Sequence, residues 1–261
     1  MELRNARYAA ISQNGPARRG NFTKLLVPRR RFDSSHPELI DRPELDIESL
    51  RQELETLEQA NRRLGGHQLM VHYVHRLVQR LGLKSLSVLD LGTGVADIPR
   101  ALVAWARSRN VPIRVTAVDG SARVLEFARA ACRDWPEISL EQHNMLTLPY
   151  APGSSDIVIC SLALHHFDRA DAVRILRGGN EIAKVSFIVN DLRRNWFSIL
   201  ATPVLAGAVM RHEVVRQDAL ASCRAAFSVQ ELRAMAEEAG LANYAIKRHH
   251  LGFRMVLHGT K

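Results

Sequence analysis

Apolar residues between positions 84 and 190 fall into short runs that alternate with longer amphipathic segments. The short runs are rich in Val, Ile and Leu, which predicts buried β-strands. The longer segments repeat apolar residues every three or four positions, which predicts helices. Strands that alternate with helices over short connections indicate an α/β domain with a parallel sheet covered on both faces. The predicted strands are 87–91, 113–118, 138–143, 156–161 and 185–189, and the helices between them are 95–109, 121–134 and 169–183.

Two further patterns flank this alternation. Residues 47–81 carry apolar residues at helical spacing, and Gly65-Gly66 interrupts them, which predicts two helices before the first strand. Residues 191–226 form an apolar insertion after the last parallel strand. We expect the insertion and the N-terminal helices to form a lid over a hydrophobic acceptor pocket, with plain core packing as the alternative. The chain then continues as a predicted helix (228–239) and two predicted strands (244–249 and 253–258).

Charge is distributed unevenly along the chain. Residues 1–32 hold eight Lys and Arg residues against the single acid Glu2, which is +7 of the total net charge of +9. We predict that this basic segment is a disordered tail, which could bind nucleic acid or anionic lipid. Residues 33–82 are then a helical N-terminal extension, and residues 83–261 are the main domain.

Composition limits the remaining classes of protein. The three cysteines are far apart in sequence (Cys132, Cys160 and Cys223), which argues against a zinc site or a disulfide framework. The N-terminus lacks the apolar segment of a secretory signal, and no apolar run reaches the roughly 18–20 residues of a membrane span. We therefore expect a cytoplasmic protein with no bound metal and no membrane span.

A glycine-rich turn follows the first predicted strand. Asp90 is the last but one residue of that strand, and Gly92 and Gly94 permit a tight turn and close approach of a ligand to the start of the next helix. A dinucleotide-binding loop would have a third glycine where Asp97 stands. Because an acid there would repel a pyrophosphate, the loop favours a ligand that carries an ammonium group.

A second acidic residue, Asp119, ends the second predicted strand. A carboxylate at this position can accept hydrogen bonds from both hydroxyls of a ribose. The alternative is that Asp119 is only a turn residue.

Taken together, these segments resemble class I S-adenosylmethionine-dependent methyltransferases. Residues 88–99 (VLDLGTGVADIP) and 115–121 (VTAVDGS) resemble motifs I and II of that class, residues 141–150 the segment that contacts adenine, and residues 155–167 the fourth strand and its active-site loop. The resemblance implies S-adenosylmethionine as cofactor and a Rossmann-like, mostly parallel seven-stranded sheet with a C-terminal antiparallel hairpin. It also implies cofactor contacts from Asp90, Gly92, Gly94, Asp97, Asp119, Gly120, Asn144, Met145 and Ser161.

One of these positions departs from the family pattern. Asn144 stands where the family usually has Asp. Its side-chain oxygen can accept a hydrogen bond from the adenine amine, but a neutral amide should bind less strongly than a carboxylate. Gly178-Gly179, inside the predicted helix 169–183, is also unusual because glycine weakens a helix interior.

The acceptor side of the reaction is predicted from three histidines. Methyl transfer depends mainly on positioning, but an oxygen nucleophile benefits from a general base. His165 and His166 follow the fourth strand at the edge where ligands bind, and His212 lies in the insertion. We expect only one of the adjacent pair to point into the cleft, and a structural role is the alternative for each.

The ending Leu164-His165-His166-Phe167 resembles small-molecule methyltransferases, including the ubiquinone and menaquinone group. Weaker likenesses extend to bacterial methyltransferases found beside polyketide synthase genes. We therefore predict methylation of a hydrophobic or aromatic small molecule, with O-methylation of a phenolic, quinol-like or polyketide-derived acceptor. The alternatives are an RNA methyltransferase that uses the basic tail, a non-catalytic binding protein and, last, a nicotinamide dehydrogenase. The confinement of the charge excess to the tail argues against nucleic acid.

Overall fold

The computed structural model of the chain describes residues 27–33, 45–209 and 213–261. The strands are β1 (Leu86–Leu91), β2 (Ile113–Asp119), β3 (Ile138–Gln142), β4 (Ser155–Ser161), β5 (Ala183–Leu192), β6 (Tyr244–His249) and β7 (Arg254–Thr260). The helices of these parts of the chain are α1 (Ile47–Arg63), α2 (Gly66–Leu81), α3 (Asp97–Ser108), α4 (Ala122–Ala131), α5 (Arg169–Ile182), α6 (Trp196–Val209), α7 (Glu213–Ala225) and α8 (Val229–Glu238).

All seven strands form one sheet in the order β3-β2-β1-β4-β5-β7-β6. The first five run parallel, and β7 lies antiparallel between β5 and β6. This confirms the predicted fold, including the C-terminal hairpin. One strand is longer than expected: β5 continues past Val189 to Leu192, because β7 pairs with it as far as Leu192↔Arg254.

Both faces of the central strands are buried, which explains their nearly continuous apolar sequences. Successive side chains of a strand point to opposite faces. Accordingly, Leu89 and Leu91 of β1 belong to one core cluster, whereas Val88 belongs to the other. Residues of α5 and α8 complete the first cluster, and residues of α2 and α3 complete the second.

The two helices predicted before the first strand are present. Asp46 begins α1, since its side chain accepts a hydrogen bond from the Ser49 N–H at 2.9 Å. Gly65 then adopts a left-handed conformation (φ 77°), which separates α1 from α2 and turns the chain. As a result, α2 packs on the sheet while α1 is free to lie over the carboxyl ends of the strands.

The insertion 191–226 contains the end of β5 and the two helices α6 and α7. Buried Arg194 fixes its start, because it donates to both carboxylate oxygens of Glu231 at 2.7 and 2.8 Å. Glu231 also forms a capping box with Ser228 at the start of α8. No helix in the part of the chain that the structure describes is long and apolar enough to cross a membrane.

Residues 27–33 differ from the predicted disordered tail. The Pro28 carbonyl accepts a hydrogen bond from Arg194 Nε at 2.7 Å, and the Arg31 N–H donates to the Arg224 carbonyl at 3.0 Å. The guanidinium of Arg30 lies over the Phe227 ring, 3.9 Å from its centroid. The end of the predicted tail, residues 27–32, is therefore held against the main domain by contacts that charge composition does not reveal.

The two helix-interior glycines give a matched pair of stability predictions. A Cβ atom on Gly179 would lie 2.6 Å from Phe187 Cζ, whereas nothing lies within 4 Å of a Cβ on Gly178. Phe187 is fully buried, so Gly179→Ala should lower the free energy of unfolding by about 1–3 kcal/mol. Gly178→Ala should raise it by about 0.5–1 kcal/mol, because alanine favours a helix interior. Urea unfolding measures both, and equal effects of the two substitutions would contradict this explanation.

Candidate active site

A cavity of about 1430 Å³ opens at the carboxyl edge of the parallel strands. Ligand pockets commonly measure about 300–1,000 Å³, so this cavity has room for a cofactor and an acceptor together. Every predicted site residue within the described ranges lines it; His212 lies outside those ranges. These lining residues are Asp90, Gly92, Gly94, Asp97, Asp119, Gly120, Asn144, Met145, Ser161, His165 and His166.

The glycine turn lies close to the opposite wall of the cavity. Gly92 has a φ of 69°, and a Cβ there would lie 2.7 Å from Ala163 Cβ and 3.3 Å from Met145 Sδ. Because Met145 and Ala163 are buried, neither could move aside easily. A side chain at position 92 would therefore strain the backbone and fill part of the cleft. Glycine at this position avoids both effects.

Asp119 ties this turn to the end of β2. Its Oδ2 accepts a hydrogen bond from the Gly94 N–H, and its Oδ1 accepts one from the Ser121 N–H, both at 3.0 Å. Each carboxylate oxygen can accept further hydrogen bonds. The carboxylate is thus held in a fixed orientation in the cavity wall, as binding of the two hydroxyls of a ribose would require.

The other two acids of the turn have opposite electrostatic surroundings. Burial raises the pKa of Asp90 to about 7, and the nearby charges of Asp97 and Asp119 act in the same direction. Burial would also raise the pKa of Asp97, but hydrogen bonds from His67 and Asn61 outweigh it and lower that pKa. Both donors lie 2.7 Å from Asp97 Oδ2. Asp97 therefore also anchors the N-terminal helices over the glycine turn.

The structure shows a second use for Asn144, the residue that departs from the family pattern. Its Oδ1 accepts a hydrogen bond from the Leu146 N–H at 2.9 Å. This bond closes a local turn of the type that asparagine favours. An adenine amine would have to share the same oxygen, which has a second lone pair for the purpose.

On the far side of the cavity, His165 and Asp191 form a buried pair. His165 Nδ1 lies 2.6 Å from Asp191 Oδ1, and both side chains are almost completely buried. A carboxylate in this position favours the tautomer with a proton on Nδ1, which leaves the basic lone pair on Nε2. His166 stacks beside His165, with ring centroids 4.4 Å apart. Both histidines line the cavity, so the lining does not single out one of the pair.

Sequence reasoning did not identify Asp191 as a site residue. Asp191 lies in the extension of β5 that pairs with β7. Local sequence did not predict that extension, so it gave no reason to place Asp191 in the site. Arg254, at the start of β7, was also missed. It is buried in the cavity wall and donates from Nη2 to Asn61 Oδ1 at 3.0 Å. Burial lowers the pKa of Arg254 to about 10, while the negative charges of Asp191 and Asp97 act in the opposite direction.

Arg30 is a third residue that the sequence did not indicate. Its Nη2 donates to the carbonyl of Phe167 at 2.7 Å and to that of His165 at 3.2 Å. Burial, together with the nearby Arg194, lowers the pKa of Arg30 to about 10. This half-buried cation fixes the backbone of the loop that carries the two histidines.

Among the residues that the structure describes, no group of three or more His, Cys, Asp or Glu side chains could hold a metal ion. All three cysteines lie within the described residues, are buried and form no disulfide.

Comparison with known proteins agrees with this arrangement. Residues 88–186 match the family model of a methyltransferase domain. The chain has no significant match among curated protein sequences. Solved structures share its fold at low identity, and three of them illustrate the range.

The first is the CMeT domain of the citrinin polyketide synthase (TM-score 0.52, 12% identity), with 67% of this chain and 46% of that one covered. Magnesium protoporphyrin IX methyltransferase from Synechocystis PCC 6803, with bound SAH, has a TM-score of 0.54 at 17% identity over 76% and 84% of the two chains. A SAM-dependent methyltransferase from Aquifex aeolicus has a TM-score of 0.54 at 14% identity over 83% and 98%. The chain thus spans about half the length of the citrinin synthase domain.

The sheet order, the glycine turn and the family match together define the class. Residues 88–186 match the model of a methyltransferase domain, and the sheet around them has the fold of S-adenosylmethionine-dependent methyltransferases. S-adenosylmethionine is the cofactor of this class of domain.

Asp90 gives a prediction about pH. With a pKa of about 7, its carboxyl loses a proton between pH 6 and 8. A cationic ligand binds the ionised form better, so the affinity for S-adenosylmethionine should rise by up to about tenfold over this range, with release of a proton. Calorimetry in buffers of different ionisation enthalpy measures both effects. Asp90→Asn should remove the pH dependence, whereas exposed Asp134→Asn should keep it; a wild-type affinity that is constant over this range would contradict the assignment.

Proposed function

We propose that the protein is an O-methyltransferase that uses S-adenosylmethionine and a hydrophobic small-molecule acceptor with a phenolic, quinol-like or polyketide-derived hydroxyl. The observation that carries the proposal is the buried pair of His165 and Asp191 in the wall of a cavity with room for two ligands. A histidine held in this way is suited to remove a proton from a hydroxyl group.

The two ends of the cavity suit the two ligands. The glycine turn and Asp119 would hold the cofactor, with Asp119 accepting from the ribose hydroxyls. Met145, buried beside Gly92, supplies an apolar surface for the adenine. The remaining wall is contributed mainly by apolar residues of the N-terminal helices and the insertion: Leu54, Leu57, Leu64, Thr202, Leu205, Ala206, Ala219 and Cys223. This wall fits an acceptor that is largely hydrocarbon.

The residues of the chain need to do little chemistry. When bound, S-adenosylmethionine supplies a methyl group on a positively charged sulfur, which is already activated for displacement. The proton of the acceptor hydroxyl goes to His165 Nε2, and Asp191 stabilises the imidazolium by holding the Nδ1 proton. Arg30 holds the histidine loop beside the end of α7, because it donates hydrogen bonds to the carbonyls of His165 and Phe167 and to that of Ala225. The helices over the cavity exclude water and orient the hydroxyl.

The alternative of RNA methylation rests on the eight cations of residues 1–32. Arg30, one of these cations, is bound to protein carbonyls and to the Phe227 ring, so it is not available for phosphate. No observation of the described residues favours RNA over a small molecule.

The cofactor assignment is tested by Asp119→Ala. Loss of hydrogen bonds from two ribose hydroxyls to a carboxylate should weaken binding of S-adenosylhomocysteine by about tenfold to a hundredfold or more. Calorimetric titration measures the affinity, and exposed Asp134→Ala is the matched control. Thermal unfolding shows whether the variant keeps its fold, since Asp119 also holds Gly94. Unchanged affinity in a folded variant would refute the ribose role.

The general base is tested by His165→Asn and Asp191→Asn. His165→Asn should lower kcat by about 10²–10⁴-fold with little change in S-adenosylhomocysteine affinity. Asp191→Asn should lower kcat less, because the base is still present but poorly oriented. Transfer of labelled methyl to a panel of phenols and resorcinols measures the rates.

His72→Asn, at an exposed position outside the cavity, is the matched control for loss of a histidine. His166→Asn distinguishes the neighbours: if it abolishes transfer while His165→Asn does not, His166 is the base. Normal transfer by both single variants would exclude the proposed mechanism without affecting the cofactor assignment.

A further inference from the structure

Helix α6 exposes an unusual amount of apolar surface. Its sequence from Trp196 to Val209 contains no charged residue. Trp196, Leu200 and Val204, spaced four residues apart on one side of the helix, are 52%, 71% and 73% exposed. Isolated exposed apolar residues are ordinary, but a continuous stripe of large ones marks an interaction surface.

The turn between β6 and β7 extends this surface. Leu251 at its tip is 89% exposed, and both His250 and Leu251 adopt left-handed conformations (φ 49° and 54°). Such conformations are disfavoured for residues with a side chain and are kept where a site requires them. The backbone of this turn therefore keeps the Leu251 side chain exposed to solvent.

Three segments meet at this point. The Phe197 ring packs on Phe253, with centroids 5.2 Å apart, which joins α6 to the turn. A Cβ on Gly65 would lie 2.8 Å from His250 Cε1, which brings the end of α1 to the same place. We call this surface the apolar corner, and its exposed members are Leu64, Trp196, Phe197, Leu200, Val204 and Leu251.

The three chain segments that form the apolar corner carry only positively charged residues. The segments that form it (62–67, 193–207 and 247–254) contain no Asp or Glu. Burial lowers the pKa of Arg193, and the nearby positive charge of Arg248 lowers it further. The exposed cations on these segments are Arg62, Arg63, Lys247 and Arg248.

The apolar corner also borders the entrance of the cavity. Leu64 and Leu251 are exposed to solvent and line the cavity as well, as does Leu205 of α6. A hydrophobic molecule could thus pass from this surface into the cavity without crossing water.

We propose that the apolar corner docks on an anionic lipid surface and that the cavity opens towards that surface. Aliphatic and aromatic side chains enter the boundary between headgroups and acyl chains, and the surrounding cations pair with anionic headgroups. Tryptophan at the border of the two, as at position 196, is typical of this boundary. The carboxylates of a partner protein would have to match the positions of the cations. The anionic headgroups of a bilayer can pair with the same cations without a fixed arrangement. The proposal concerns binding alone and is tested without cofactor or acceptor.

The experiment is vesicle flotation with the full chain. The probes are phosphatidylcholine vesicles and vesicles in which about one third of the lipid is phosphatidylglycerol. We expect binding to the anionic vesicles and at least about tenfold weaker binding of the Leu200→Ser, Leu251→Ser double variant, because two leucines that would enter the lipid are lost. Arg248→Gln should weaken binding to the anionic vesicles only.

Leu81→Ser is the matched control. Leu81 is 47% exposed, but it lies at the other end of the 16-residue helix α2, about 24 Å away from the Gly65 turn. Residues 1–32 are present in every variant, so their charge contributes equally. Thermal unfolding checks that each exposed substitution leaves the fold intact.

Three results would overturn the proposal. The first is a wild-type chain that binds neither kind of vesicle. The second is a double variant that floats as well as wild type does, which would assign binding to the basic N-terminal residues. The third is a wild-type dimer in sedimentation velocity that the double substitution converts to a monomer, which would make the apolar corner an interface between two copies of the chain.

Discussion

Because β1, β2, β4 and β5 run parallel, the residues that follow each of them meet at one edge of the sheet. This constraint brings together the glycine turn after β1, Asp119 at the end of β2 and the histidines after β4. Side chains in the middle of the strands cannot serve as a site, since both faces of the sheet are buried there in apolar packing. Chemistry is thus confined to the strand ends, where backbone and side-chain polar groups remain accessible.

The elements outside the parallel sheet convert that edge into an enclosed space. Helix α1 is fastened to the glycine turn through Asn61 and Asp97, while the insertion is fastened through Arg194 and Glu231. These contacts join charged and amide groups at buried positions, where an unpaired group would lower the stability of the fold. Substitution of one member should therefore loosen the cover over the cavity as well as reduce stability.

The same cavity joins two different electrostatic environments. Around the glycine turn, the carboxyl groups of Asp90, Asp97 and Asp119 lie together. Around His165, Asp191 is balanced by Arg254 and by the imidazole. Leu205 of α6 continues the cavity wall to the exposed surface of that helix. In the proposed reaction, the first environment would hold the positively charged cofactor and the second the hydrophobic acceptor.

Local sequence determined the parts of the protein that depend on short-range pattern. Strand and helix periodicity predicted a parallel α/β domain and two further short strands, whereas the seven-stranded sheet with its antiparallel hairpin was implied by the resemblance to class I methyltransferases. The position of Asp90, Gly92, Gly94 and Asp119 at the ends of the first two strands predicted that they would line one cavity. Asp191 could not be predicted as a site residue, because its position depends on the pairing of β5 with a strand about sixty residues later. The contacts of Arg30 with the histidine loop likewise join residues more than 130 positions apart. Short-range pattern follows from backbone geometry and burial, whereas the partners of a buried charge are chosen only when distant segments pack together.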